Sequence, residues 1–291
     1  MARKDIVITG GDSRYFGLMQ GCLRSLRNAP ETLACALGVL DCGLTADEAA
    51  WCRSIGATIV EPGWDVAFAG SLTVHPAMRA MTARPHLRRY FPGFDTYLWI
   101  DADAWVQEGA AARLFLDAAH MGDIAIVPEV HRSYSNLRHT REDFETANAK
   151  AYADAFGPAA AQRLIRMPLV NAGVFAIAHT SPAWGLWADV LADAATRSTN
   201  LVDQIALNVA IYDHGLGDIR LPASCNWIAH LCPPAWDGDR GAFVEPDPPF
   251  TPIGILHMTL DTKWKGTLPL PALRDGRIGG TAPRSLQYAG T

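Results

Sequence analysis

Asp101 and Asp103 stand at the end of the apolar run Thr96-Tyr97-Leu98-Trp99-Ile100, and this spacing carries the clearest chemical signal in the chain. Side chains alternate along extended backbone, so positions i and i+2 project the same way and the two carboxylates can converge. Two hard oxygen ligands so placed suit Mg²⁺ or Mn²⁺ holding a substrate's phosphates, because such ions keep open positions for phosphate oxygen and water. A sugar nucleotide is the first ligand class this suggests. An isolated Asp-x-Asp is more often a strand end followed by a solvated acidic turn, so other residues must decide between the two.

Three further clusters bear on that decision. The turn Thr9-Gly10-Gly11-Asp12-Ser13-Arg14-Tyr15 lacks both the Gly-x-Gly-x-x-Gly and the Walker pattern, which disfavours a dinucleotide or P-loop ATP site. It reads either as a tight strand-to-helix turn or as a nucleobase slot, with Asp12 bonding a base or ribose and Tyr15 offering a stacking face. Asp203-Gln204 opens an apolar helix, where a carboxylate is electrostatically favoured as a simple cap and could equally face a sugar ring. His257 leaves the run Ile253 to His257 and could complete a mixed oxygen and nitrogen set suited to Mn²⁺. Lys263, six positions later, could neutralise a phosphate as a point charge.

The elements that must position these groups alternate. Asp5 to Thr9 reads as a strand, and Phe16, Met19, Leu23 and Leu26 recur at helical spacing after it. Cys35 to Asp41 is a second strand. Thr45 and Glu48 form a capping-box pattern for a helix that should stop near Gly56, and Ala57 to Val60 is a third strand. A helix is expected over 76–90 before the Asp-x-Asp strand and another over 110–120 after it. Strands follow at Ile124 to Pro128 and Leu169 to Ala178, with helices at Arg141 to Arg166 (interrupted at Gly157-Pro158), Pro182 to Ala195 and Leu201 to Tyr212. The proline-rich stretch Cys232 to Pro252 reads as loop, and residues after Gly266 as a loosely packed tail. This order argues for an α/β domain with parallel strands and crossover helices, spanning 1–265, followed by a tail at 266–291. Ligands bind such sheets at the carboxyl ends of the strands, where both the Gly10-Gly11-Asp12 and the Asp101 to Asp103 segments are expected.

Composition narrows the class. Of 291 residues 49% are hydrophobic and 19% charged, ordinary for a globular chain able to bury a large core. A formal net charge of -5 without a long basic run gives nucleic acid little electrostatic reason to bind. Six cysteines without a Cys-x-x-Cys pair read as buried free thiols rather than a zinc site. No uninterrupted run of eighteen apolar residues occurs, so stable membrane insertion is not expected and a cytoplasmic location is.

Taken in order, these pieces resemble the glycogenin and bacterial lipopolysaccharide galactosyltransferase family, which are retaining glycosyltransferases of the type-A fold. Thr9, Asp12 and Tyr15 match its first strand and turn, and Arg84 to Asp103 its helix, aromatic strand and Asp-x-Asp. Asn171 and Gly173, Asp203 to Asn208, and finally His257, Lys263 and Trp264 match its later motifs, so that the resemblance runs from residue 5 to residue 265. Leu260 stands where the family has glycine, no proline separates Lys263 from Trp264, and a basic, aromatic membrane-docking tail has no counterpart.

The resemblance implies a Rossmann-like mixed, mainly parallel sheet flanked by helices. It further implies that Asp101, Asp103 and His257 hold Mn²⁺ (or Mg²⁺) against the diphosphate of a UDP-sugar, UDP-glucose or UDP-galactose. Thr9, Gly10, Asp12 and Tyr15 would receive the uridine, Lys263 would support the diphosphate, and Arg84 would support the diphosphate or the donor sugar. Asn171, Asp203 and Gln204 would surround the hexose as it passes to a carbohydrate or small-molecule acceptor. An amide is a poor nucleophile, which favours front-face attack by the acceptor hydroxyl. The His131 to Ser135 segment and the region of Trp236 are assigned to acceptor recognition or a lid; Trp227 and Trp236 could stack on a sugar or pack as core aromatics. The competing readings are a sugar-1-phosphate nucleotidyltransferase, which would want a longer glycine loop with a lysine, a phosphohydrolase using Asp101, and an inactive sugar-nucleotide binder or self-modified primer scaffold.

Overall fold

The computed structural model describes residues 3–67, 74–135, 142–198, 200 and 202–290, without the side chains of 142–147. Arg141 and Leu201, at two expected helix starts, lie outside them.

The first eight strands are β1 (Asp5–Gly11), β2 (Ala36–Asp41), β3 (Ala57–Val60), β4 (Thr96–Ile100), β5 (Ala104–Val106), β6 (Ile124–Pro128), β7 (Val170–Ala178) and β8 (Asp218–Arg220). Seven of them form one sheet in the order β3-β2-β1-β4-β7-β6-β8. Every neighbouring pair is parallel except those of β7, which runs antiparallel to both β4 and β6. The sheet is therefore mixed and mainly parallel, as the resemblance implied.

Alternation along each strand feeds two apolar layers. Ile6, Ile8, Tyr97 and Trp99 face one side, while Val7, Leu98 and Ile100 face the other. Helices α1 (Phe16–Asn28), α2 (Ala46–Ser54) and, after the short turns α3 (Arg79–Ala83) and α4 (Leu87–Tyr90), α5 (Gly109–Ala118) complete the first half. Met19, Leu23 and Leu26 of α1 and Phe115 and Leu116 of α5 cover the Val7 face. In the second half come α6 (Glu142–Phe156), α7 (Pro158–Leu164), α8 (Ala183–Ala195) and α9 (Asp203–Tyr212). Trp184 and Trp187 of α8 and Ile205 and Leu207 of α9 cover the opposite face. Each fully buried side chain of this kind stabilises the fold by about 1.5–3 kcal/mol relative to exposure.

Local chemistry explains most boundaries. Thr45 and Glu48 form both hydrogen bonds of the capping box on α2, and Gly56 follows it at φ +82. The helix expected over 76–90 is instead broken into four short turns; Pro85 lacks the amide hydrogen that a continuous helix needs. β1 runs two residues beyond Thr9, because Gly10 lets β2 approach: a Cβ there would stand 2.8 Å from that of Leu40.

Two expectations are corrected. The proline-rich stretch carries strands: after β9 (Trp227–Ile228) come β10 (Ala235–Asp237) and β11 (Ala242–Val244), with the prolines outside them. The Asp237 carboxylate accepts from the amides of Asp239 and Arg240 and so closes the turn between β10 and β11. Past β12 (Ile255–His257), the expected loose tail is the hairpin β13 (Leu268–Arg274) and β14 (Arg277–Arg284), which extends the β10–β11 sheet. Asp275 and Gly276 take φ +48 and +70 at its tip, the left-handed conformations a two-residue hairpin requires. Leu270 and Leu286 are buried, and Trp105 donates its indole N–H to the Leu286 carbonyl at 2.8 Å.

Candidate functional site

Where β4 ends, the Asp101 amide donates to the Gly173 carbonyl at 2.8 Å and the chain turns so that the Ala104 amide donates to Asp101 at 2.9 Å. That turn presents both aspartates on one side. β5 then pairs antiparallel with β12 in a register that sets His257 opposite Ala104, and the Met258 amide bonds the Asp103 carbonyl at 2.9 Å. Ligand atoms of Asp101, Asp103 and His257 consequently lie within 4.8 Å of one another. His257 Nε2 is 3.3 Å from Asp103 and 3.8 Å from Asp101.

The imidazole is held from behind. Its Nδ1 lies 3.0 Å from the Asn226 side-chain oxygen, which makes Nδ1 a proton donor and turns Nε2 toward the carboxylates. The Asn226 amide donates to Asn171 at 3.0 Å, and the Asn171 amide donates to Glu129 at 2.7 Å. All four side chains are buried. Asn226 and Glu129 were missed by the sequence reading. Glu129 directly follows β6 at the sheet edge where ligands bind, a signal that was available; Asn226 sits in a short 3-10 turn and belongs to no motif.

Gly173 gives the cluster its room. A Cβ there would meet His257 Cε1 at 2.3 Å and an Asp101 carboxylate oxygen at 2.9 Å.

Arg84 is buried and bridges two carboxylates, donating to Asp101 at 2.5 Å and to Asp203 at 2.9 Å. Its guanidinium sits 5.3 Å from the centre of the Trp99 ring, whose indole N–H also donates to Asp101 at 2.7 Å. Lys263 pairs with Asp103 and lies 5.1 Å from the centre of the Tyr15 ring, against which Trp264 packs edge-on at 5.4 Å. The turn after β1, the Asp-x-Asp segment and the Lys263 turn thus meet at one place.

Several candidates are engaged within the protein. Asp12 accepts from the amides of Arg14 and Tyr15 and from the Arg14 side chain, closing its own turn. Thr9 is buried within β1 beside Gly10. The Gln204 side-chain oxygen accepts from the Ala172 amide at 3.0 Å, and Asn208, one turn on, bonds both backbone groups of Val170. Helix α9 is thereby docked onto β7 beside Asn171; it carries no side-chain cap, and Asp203 in its first turn pairs with Arg84 instead. Trp227 is fully buried with its indole bonded to Cys232, so it is a core aromatic. Tyr134 of the His131 to Ser135 segment is buried too, its hydroxyl accepting from the Ile228 amide at 3.0 Å. Among the described residues no disulfide joins the six cysteines, and five of them are buried.

Protonation follows from this packing. Burial opposes ionisation of Asp103, yet His257 and Lys263 outweigh it and hold the carboxyl down at about 2. Burial likewise works against a charged His257, and Asp103 reverses the balance and raises it. Burial raises Asp203 despite Arg84, and raises Glu129 despite its bond from Asn171. Two carboxylates and an imidazole with its second nitrogen fixed form a donor set that fits Mn²⁺ or Mg²⁺, with Mn²⁺ favoured by the nitrogen.

No protein-family model matches the chain, and no curated protein matches it. Solved structures do. A galactosyltransferase, LgtC, in complex with donor and acceptor sugar analogues superposes with a TM-score of 0.54 at 15% identity, covering 87% of this chain and 86% of that one. Mouse xyloside xylosyltransferase 1 gives 0.51 at 13%, with 88% and 98% covered. The glycosyltransferase GlyE of Streptococcus pneumoniae TIGR4 gives 0.51 at 17%, with 91% of this chain and 56% of that one covered. Among the described residues no helix is long and apolar enough to cross a membrane. Strand order, helix placement and these superpositions together establish that the chain adopts the glycosyltransferase type-A fold.

Proposed function

We propose that this chain is a metal-dependent hexosyltransferase that moves glucose or galactose from a UDP-sugar to an acceptor hydroxyl with retention of configuration, acting in the cytoplasm. The observation that carries this reading is the convergence of Asp101, Asp103 and His257 at the carboxyl end of β4 on a type-A scaffold.

The two carboxylates and His257 Nε2 would hold Mn²⁺ or Mg²⁺, which when bound supplies positive charge against the diphosphate as UDP departs. Lys263, beside Asp103 and Tyr15, adds a point charge for the same phosphates. Arg84 fixes the orientation of Asp101 and Asp203 from below. Tyr15 offers its ring to the uracil, while Asn171, Asp203 and Gln204 border the hexose. The Gln204 oxygen is already bonded to Ala172, and an amide is a weak nucleophile in any case. Attack therefore comes from the acceptor hydroxyl on the face that UDP leaves, with the hydroxyl proton passing to the departing phosphate oxygen.

The test is UDP release from UDP-glucose and UDP-galactose with and without Mn²⁺, alongside thermal shift with the same ligands. Metal-dependent binding and release, both lost in Asp103→Asn, is the expected result. Binding without release would mark an inactive sugar-nucleotide binder, and neither would sink the proposal.

A further inference from the structure

Beyond the donor site, a cavity of about 650 Å³ opens at the far end of α1, within the size range of small-ligand sites. Tyr15 precedes the first turn of that helix, next to Lys263, whereas Asn28 ends it at the cavity. Thirteen helical residues separate the two by ~20 Å.

The cavity's walls are aromatic. Trp105 packs against Phe243 and Tyr288 with ring centres 6.0 and 5.2 Å apart, and Trp236 packs against Phe243 at 5.1 Å. Trp236 and Tyr288 remain partly exposed. Around these rings stand Glu31, Glu108 and Arg284, none of which has an ion-pair partner among the described residues; the Arg284 guanidinium lies 4.7 Å from the centre of the Trp236 ring. Glu31 is seated by a glycine, since a Cβ on Gly109 would stand 2.0 Å from its carboxylate oxygen.

Carboxylates without an ion-pair partner and a guanidinium bonded only to the neighbouring Pro283 carbonyl, set beside aromatic surface, suit a neutral ligand with many hydroxyls. An anion would meet the two glutamates, and a cation would meet Arg284. Carboxylates accept from sugar hydroxyls, the guanidinium donates to them, and apolar sugar faces pack on aromatic rings. We propose that this cavity binds a neutral oligosaccharide through one or two of its sugar units. The C-terminal strap connects it to the donor site: Trp105 bonds the Leu286 carbonyl, and Gln287 donates to the Lys263 carbonyl at 3.0 Å. The bound chain would be the distal part of an acceptor; that role rests on the glycosyl-transfer reading, while the binding itself does not.

The experiment titrates the intact protein with maltohexaose, cellohexaose and chitohexaose, followed by saturation-transfer NMR and tryptophan fluorescence, with spermine as the cationic control. Saturable binding of at least one hexasaccharide is expected, weakened about tenfold or more in Glu31→Gln and in Trp236→Ala, with Mn²⁺-dependent UDP binding unchanged in Glu31→Gln. No saturable binding to any of the three, binding undiminished in both variants, or a preference for spermine would overturn the proposal. Oligosaccharide binding that behaves as expected in a protein that ignores UDP and Mn²⁺ would remove the transfer reading and leave the saccharide site standing.

Discussion

Arg84 donates to Asp203 at 2.9 Å across 119 positions of sequence, inside a site where both side chains are buried. Replacing one partner of such a pair leaves a buried charge uncompensated, which costs about 3–5 kcal/mol. Arg84→Met should therefore destabilise the protein by that amount, and Arg84→Met combined with Asp203→Leu should recover part of it. Urea denaturation of the single and the double variant checks this; a loss below about 1 kcal/mol in Arg84→Met would show that the bridge is not structural.

Gly173→Ala places a methyl group against His257 and Asp101. Overpacking of this kind costs about 1–3 kcal/mol, and the displaced imidazole should also lose the Mn²⁺-dependent thermal shift. Gly17 provides the control: it is exposed in α1 with no atom within 4 Å of a built Cβ. Gly17→Ala should stabilise by about 0.5–1 kcal/mol and keep the shift.

Asn226→Leu removes the acceptor that fixes the His257 tautomer. Loss of such a partner typically weakens metal binding 10–100-fold. Electron paramagnetic resonance of free Mn²⁺ during titration reads the effect directly, and unchanged affinity would mean that the imidazole is oriented by packing alone.

His230 supplies a pH dependence. Burial drives its pKa down from 6.5 to about 4, and its Nδ1 pairs with the Thr259 hydroxyl. Because the folded value lies below the unfolded one, its stability contribution is complete above pH 6.5 and is lost as pH falls toward 4. His230→Gln should flatten the fall in melting temperature between pH 6.5 and 4. A variant as acid-sensitive as the parent would assign that loss to other groups.

Much of the central sheet was legible because its signals are local: β-branched runs, the Thr45–Glu48 box and Gly56 each act within a few residues. The Asp-x-Asp pair and His257 were legible for the same reason, each closing an apolar strand. Pairings that depend on distant backbone were not. Nothing near Asn226 announces that it will stand behind His257, and nothing near Arg84 shows that two aspartates will claim it. The terminal hairpin is different: Asp275-Gly276 between the paired Arg274 and Arg277 is a readable turn, outweighed here by the glycine and proline content around it.

The pairing of β5 with β12 brings residue 257 to residue 104, and with it His257 to Asp101 and Asp103. Synthesis proceeds from the amino terminus, and the loop between those strands must close before they can pair. A nascent chain can thus complete its seven-stranded sheet, whose last strand in sequence ends at Arg220, before His257 has been added to stand beside Asp101 and Asp103.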